Sequence, residues 1–244
     1  MEVDVERVNK YIKNNNVKFS EHALFSFLSD PSIDPRQRLL IAPCMAFFAM
    51  GFRDLNKYVY REVIDNDIFQ EIVNEHTLED ERHSAWFIAD YRRLDIDQKL
   101  TFTDSLCFLW GRETIGVRRA IYDFSALLRY APPLFRYVVL ESLEGHGHVL
   151  FTATSKAAEE LSAKTGREYI FFGTHHLSVE TGHAMGEKVA LLQAKIDRYQ
   201  LTDEQYEKAL TLVDQTYEIF TRYNDDLYNY ITTHRIDDRL ISKL

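Results

Sequence analysis

The chain has few of the residues that punctuate turns: nine glycines and five prolines in 244 residues. Strands joined by tight turns need more of both. No long alternation of apolar and polar residues occurs, which also disfavours a sheet. Cysteine is scarce too, with only Cys44 and Cys107, each inside an apolar run. That excludes a disulfide scaffold and a cysteine-rich zinc site, and predicts two reduced core thiols. Basic residues are outnumbered, and the net charge of −9 excludes the basic face that nucleic-acid binding requires. An acidic surface of this kind mainly keeps a protein in solution. The opening stretch MEVDVERVNKYIKNNN lacks the apolar core of a signal peptide. The longest apolar run, around Leu39 to Met50, is too short to span a bilayer and contains Pro43. The expectation is a cytoplasmic protein with no membrane partner.

Apolar residues recur every three or four positions almost throughout, which predicts an all-α domain of about seven helices over residues 1–244. No repeat, low-complexity tract or linker divides it. Short helices are expected over 3–14 and 19–29. Asp34 reads as an N-cap, with Pro35 at the first helical position and Gln37 three residues after the cap. The helix that follows runs to about Glu62, with Pro43 kinking it or marking its start. Further helices are expected over 67–94, 102–130 (broken near Gly111 or Gly116), 134–163, 169–199 and 202–233. Gly166 reads as a helix stop, and Thr202 with Gln205 as a capping box.

Polar residues in the wrong places carry the chemistry. In HLSVETGH, His176, Glu180 and His183 stand at i, i+4 and i+7. On a helix, turning roughly 100° per residue, they fall within about 60° of one another, whereas a strand would split them. Two imidazoles and a carboxylate suit non-haem Fe(II) with positions open for oxygen or substrate. Two other helices interrupt apolar faces in the same way. The stripe Phe69, Ile72, His76, Glu79, His83, Trp86, Asp90 turns polar in its middle. The stripe Leu134, Tyr137, Glu141, Glu144, His148, Phe151 carries two carboxylates and an imidazole. Burying such groups without partners costs several kcal/mol, and a metal ion would satisfy them. A buried hydrogen-bond network is the competing reading. The pattern is neither the His-Glu-x-x-His of zincins nor the repeated Glu-x-x-His of ferritin-like bundles.

These residues resemble the haem-oxygenase-like di-metal oxidases. In that family one core helix brings a carboxylate and a His, a second brings a Glu, and a third brings His-x-x-x-Asp/Glu-x-x-His. His176, Glu180 and His183 match the third motif in full. The second-helix carboxylate falls best on Glu144, some thirty residues upstream, with Glu141 as its competitor. The first helix departs from the commonest spacing, with His76 where several members have a Glu. The resemblance then carries the carboxylate role to Glu79, one turn before His83, ahead of Asp80, with His76 beside the site. It implies a haem-oxygenase-like bundle holding two Fe(II) ions per chain through Glu79, His83, Glu144, His176, Glu180 and His183. It further implies O2 as co-substrate and a small molecule as substrate, handled by one chain or a homodimer.

The expected activity is oxidation of an amino-acid-like amine, by N-oxygenation, C–C cleavage or nitrile formation. Alternatives are olefin-forming decarboxylation of a fatty acid, a haem-degrading or thiaminase-like enzyme, and a non-catalytic metal-binding bundle.

Overall fold

In a computed structural model, the structure describes residues 3–63, 67–179 and 186–240. The described residues are all-helical apart from one two-residue antiparallel pairing. They form α1 (Val5–Phe19), α2 (Ala23–Ser29), α3 (Pro35–Arg38), α4 (Ile41–Leu55), α5 (Ile68–Asp80), α6 (His83–Arg93), α7 (Phe102–Leu109), α8 (Ile115–Leu128), α9 (Pro133–Thr165), α10 (Thr174–Ser178), α11 (Gly186–Ile196) and α12 (Asp203–Thr233). A π-helical turn, Asn56–Tyr60, follows α4. The pairing joins Val3 to Leu201 and Asp4 to Gln200, fastening the start of α1 beside the start of α12. No helix among the described residues is long and apolar enough to cross a membrane.

The centre is α9, a helix of 33 residues. It packs against α1, α2, α3, α5, α10 and α12, so apolar side chains are buried around its whole circumference. Pro132 and Pro133 set its start, and Gly166, with φ +70°, ends it in the left-handed conformation that glycine adopts without strain. Where α1 crosses α9, a Cβ on Gly145 would lie 2.6 Å from Asn16 Nδ2, so the Asn16 side chain packs directly on the α9 backbone at a glycine. α12 closes the other side against α4, α8 and α9. Its N-terminus is the Thr202–Gln205 capping box expected from the sequence.

The count exceeds seven because long helices are cut. Asp34 does cap α3, accepting from Arg36 N at 2.8 Å. Gln37 closes no capping box, since its Nε2 donates to the carbonyls of Ile231 and His234 instead. α4 starts at Ile41, which puts Pro43 in the first turn, where its missing N–H costs no helical bond. The helix expected over 67–94 is broken at Glu81–Arg82. The one expected over 102–130 is broken after Leu109 by a 3-10 turn at Arg112–Thr114.

The helix expected from 169 starts only at Thr174. Tertiary contacts hold the segment before it. The Asp90 carboxylate, fully buried on α6, accepts from Ile170 N at 3.0 Å and Phe172 N at 3.1 Å. Those bonds tie the segment to α6 ahead of α10, through amides that a helix start would leave free in any case. Gly173 follows, and a Cβ there would collide with the Tyr169 carbonyl oxygen.

Candidate metal centre

The break between α5 and α6 decides which side chains face inward. Arg61, just past the π turn, fixes it. Its Nε donates to Thr77 Oγ1 at 3.1 Å and its Nη1 to Glu81 Oε2 at 3.3 Å. With α5 ending at Asp80 and α6 starting at His83, the continuous 3.6-residue count across residues 79–83 fails. Asp80 is the carboxylate that turns in. It is buried, 3.8 Å from His83 Nδ1, and accepts a long hydrogen bond (3.4 Å) from Asn56 Nδ2 in the π turn. Such turns interrupt helices most often near functional sites. Glu79 is only partly buried, and it does not figure among the described residues that line the cavity. Of the two neighbouring carboxylates, it is Asp80 and not the expected Glu79 that lines the cavity.

His176 comes from the opposite side, on α10, and is fully buried. Its Nδ1 donates to the Phe171 carbonyl at 2.7 Å. That carbonyl belongs to the segment held by Asp90, so a carboxylate on α6 orients the imidazole. Phe151, Phe171 and Trp86 pack around the ring. With the proton on Nδ1, the lone pair of Nε2 points at His83 Nδ1, 3.2 Å away. A carbonyl or carboxylate holding one ring N–H while the other nitrogen faces inward is the usual support of a metal-binding histidine.

The pair of rings has a deficit. Burial, and then the neighbouring His176, push the His83 pKa well down, so His83 is neutral. If its proton sits on Nδ1, it donates to His176 and leaves a buried lone pair on Nε2. If it sits on Nε2, two lone pairs face each other and the N–H is stranded. His83 Nε2 has no hydrogen-bond partner among the described residues. Leaving such a group unpaired costs about 1–3 kcal/mol.

Around the two imidazoles lies a cavity of about 50 Å³. Asp80, His83, Glu144 and His176 give it one polar end. Met45, Phe48, Phe52, Leu143, Leu150 and Phe220 make most of the rest, together with His146 and Tyr223. Of the two α9 carboxylates, Glu144 lines this cavity. Glu141 lines a separate polar cleft with Asn9, Lys13, Gln193 and Asp197, which Glu144 also borders. There burial, and then Asp197, push the Glu141 pKa up to about 7 against the pull of Lys13. His76 is out of the cavity lining, its pKa pushed down to about 4 by burial.

Glu180 and His183 lie outside the described residues. Among the described residues, no three His, Cys, Asp or Glu side chains close on one point tightly enough to hold an ion by themselves. The fit to a metal rests on the donor set: two facing imidazoles, two carboxylates and an orphaned buried nitrogen in one cavity. Carboxylate and imidazole donors suit iron.

Sequence reasoning missed His146. It read His148 on the inward stripe of α9, but His148 is exposed and His146 is buried. The signal was present in EGHGH, where the two histidines differ by 200° on a helix, since Leu143, His146 and Leu150 share a face. Neither a family model nor a curated protein matches the chain.

Proposed function

We infer that the chain is a non-haem di-iron oxidase or oxygenase that uses O2 to oxidise a small amine or amino-acid-like molecule. One observation carries the reading: His83 and His176 face each other at 3.2 Å beside Asp80 and Glu144, with His83 Nε2 buried and unpaired. The Asp80, His83, Glu144 and His176 side chains would hold the metal, joined by Glu180 and His183 from the same HLSVETGH stretch. Two ferrous ions would supply the electrons that reduce O2.

The chain's own residues do the rest. Asp90 holds the Ile170–Phe172 backbone, the Phe171 carbonyl holds the proton of His176 on Nδ1, and Nε2 stays available as a ligand. Trp86 and Phe151 stop the ring from turning away. Phe48, Phe52, Leu143, Leu150 and Phe220 keep water from the apolar end. Exclusion of water strengthens the electrostatic interactions at the polar end and protects reactive species from side reactions.

An olefin-forming decarboxylation of a fatty acid is the second reading. The apolar lining favours it, and no Lys or Arg among the described lining residues is there to grip an amino-acid carboxylate. Oxygen uptake by the Fe(II)-loaded chain, followed by product analysis on a pool of amines, amino acids and fatty acids, separates the two. An N-oxygenated or cleaved amine supports the first reading and an olefin the second. Absence of O2 uptake with every substrate contradicts both.

A further inference from the structure

Between α1, α9 and α11 lies the polar cleft that Glu144 shares with the metal cavity. Its volume is about 330 Å³, against about 50 Å³ for the metal cavity. Sites for small molecules span roughly 300–1,000 Å³, so the cleft, and not the metal cavity, has room for an organic ligand. Its walls carry charges of both signs: Glu141 and Glu144 from α9, Asp197 just after α11, and Lys13 from α1.

Two amides fix the Asp197 carboxylate. Asn9 Nδ2 donates to its Oδ1 at 3.3 Å and Gln193 Nε2 at 2.8 Å. Both amides also reach the hydroxyl of Tyr137, which is fully buried on α9, so the carboxylate is tied to the core. Both bonds fall on Oδ1, and Oδ2 makes none among the described residues. A carboxylate only accepts, which sets the Asn9 amide with Nδ2 toward Asp197 and leaves Oδ1 as its spare acceptor. That Oδ1 is buried with no hydrogen-bond partner among the described residues. Glu141 stands half-buried beside Asp197, and no hydrogen bond holds its carboxylate among the described residues. A solvated surface carboxylate keeps its ordinary pKa, whereas burial and the Asp197 charge raise that of Glu141 to about 7. The cleft is therefore long in acceptors and short in donors. An ammonium group brings three donors and a charge that offsets Glu141 and Asp197. Lys13, exposed at the same cleft, makes no ion pair with either carboxylate, so its charge is open to a ligand carboxylate.

We propose that this cleft binds a free amino acid, with its ammonium group on Glu141 and Asp197 and its carboxylate on Lys13. As a substrate site it rests on the oxidase reading, with Glu144 bordering both the bound amino acid and the metal donors. Binding itself requires no metal.

The test titrates each common free L-amino acid singly into the metal-free full chain, by calorimetry or ligand-observed NMR. The one that binds best is then compared with its decarboxylated amine. At least one amino acid is expected to bind, about tenfold more tightly than its amine, the value of one charge-assisted hydrogen bond. Lys13→Met should remove that preference while the amine binds as before. Asp197→Asn and Glu141→Gln should each weaken amino acid and amine alike by about tenfold; the asparagine keeps an acceptor for the two amides. No binding of any amino acid, equal binding of the amine, or binding that all three variants leave unchanged would overturn the proposal. If Asp197→Asn or Glu141→Gln does not fold, Lys13→Met, at an exposed position, still decides it. Fe(II) titration of the wild type separates the two ideas. A chain that binds an amino acid but takes up no iron retains this site and loses the oxidase reading. One that takes up iron and binds no amino acid loses this site alone.

Discussion

Asp80 and Asp90 are two buried aspartates on the same broken helical arm, and they teach opposite lessons. Asp90 is fully buried and its carboxylate is spent on backbone: Ile170 N, Phe172 N and, at 3.3 Å, Arg93 Nη1. Burial raises its pKa, and the two amides resist that rise. Asp80 is nearly as buried, but it lines the cavity, where it lies 3.8 Å from His83 Nδ1 and accepts from Asn56 Nδ2 at 3.4 Å. The first carboxylate builds the fold that aims His176. The second stands where a cation would use it. Burial alone does not mark a functional carboxylate; the identity of its partners does.

That contrast can be broken by mutation. Asp90→Ala strands two buried amides and frees the Phe171 segment, so a loss of about 3–4 kcal/mol in unfolding free energy is expected from denaturant titration. A loss below about 1 kcal/mol would remove the structural role. Gly173→Ala attacks the same segment through the Tyr169 carbonyl oxygen, and should cost about 2–3 kcal/mol in the same assay.

Glu141 gives a third kind of carboxylate, half-buried in the polar cleft beside Asp197. Its pKa is raised from 4.5 to about 7, so the folded chain binds a proton there that the unfolded chain has released. Stability is then greatest below pH 4.5 for this group and falls as pH rises toward 7. Glu141→Gln should flatten that fall and be more stable above pH 7, by on the order of 1–3 kcal/mol. Thermal melts between pH 4 and 8 read the difference. Asp80→Ala should leave stability within about 1 kcal/mol while weakening Fe(II) binding by about a hundredfold, the pattern of a site that function maintains. Glu79→Ala should change neither quantity by more than about 0.5 kcal/mol or twofold, because Glu79 is only partly buried and off the cavity.

Much of the fold was legible in the sequence. The all-α class, the span of α9, the Gly166 stop, the Asp34 cap and the Thr202–Gln205 capping box all follow from local rules. The cuts do not. Residues 79–83 carry an unbroken helical pattern, and Arg61, eighteen residues before Glu79 in the chain, holds the break. The Tyr169–Gly173 segment, with aromatic, β-branched and glycine residues, is a weak helix former, and Asp90, about eighty residues upstream, ties its backbone to α6. The Arg61 contacts accompany the inward turn of Asp80 in place of Glu79, and the Asp90 contacts precede the late start of α10. The site was legible as a class of donors. Which carboxylate faces in was not, because a helical count holds only while the helix lasts.

The central claim is that the Asp80, His83, Glu144 and His176 cluster is a metal centre. Anaerobic titration of the metal-free chain with Fe(II) tests it most directly. The account predicts saturation at about two irons per chain in the wild type, and a clear loss of that uptake in His83→Ala and His176→Ala chains that remain helical. A wild-type chain that binds no iron, or variants that bind it as the wild type does, would contradict it.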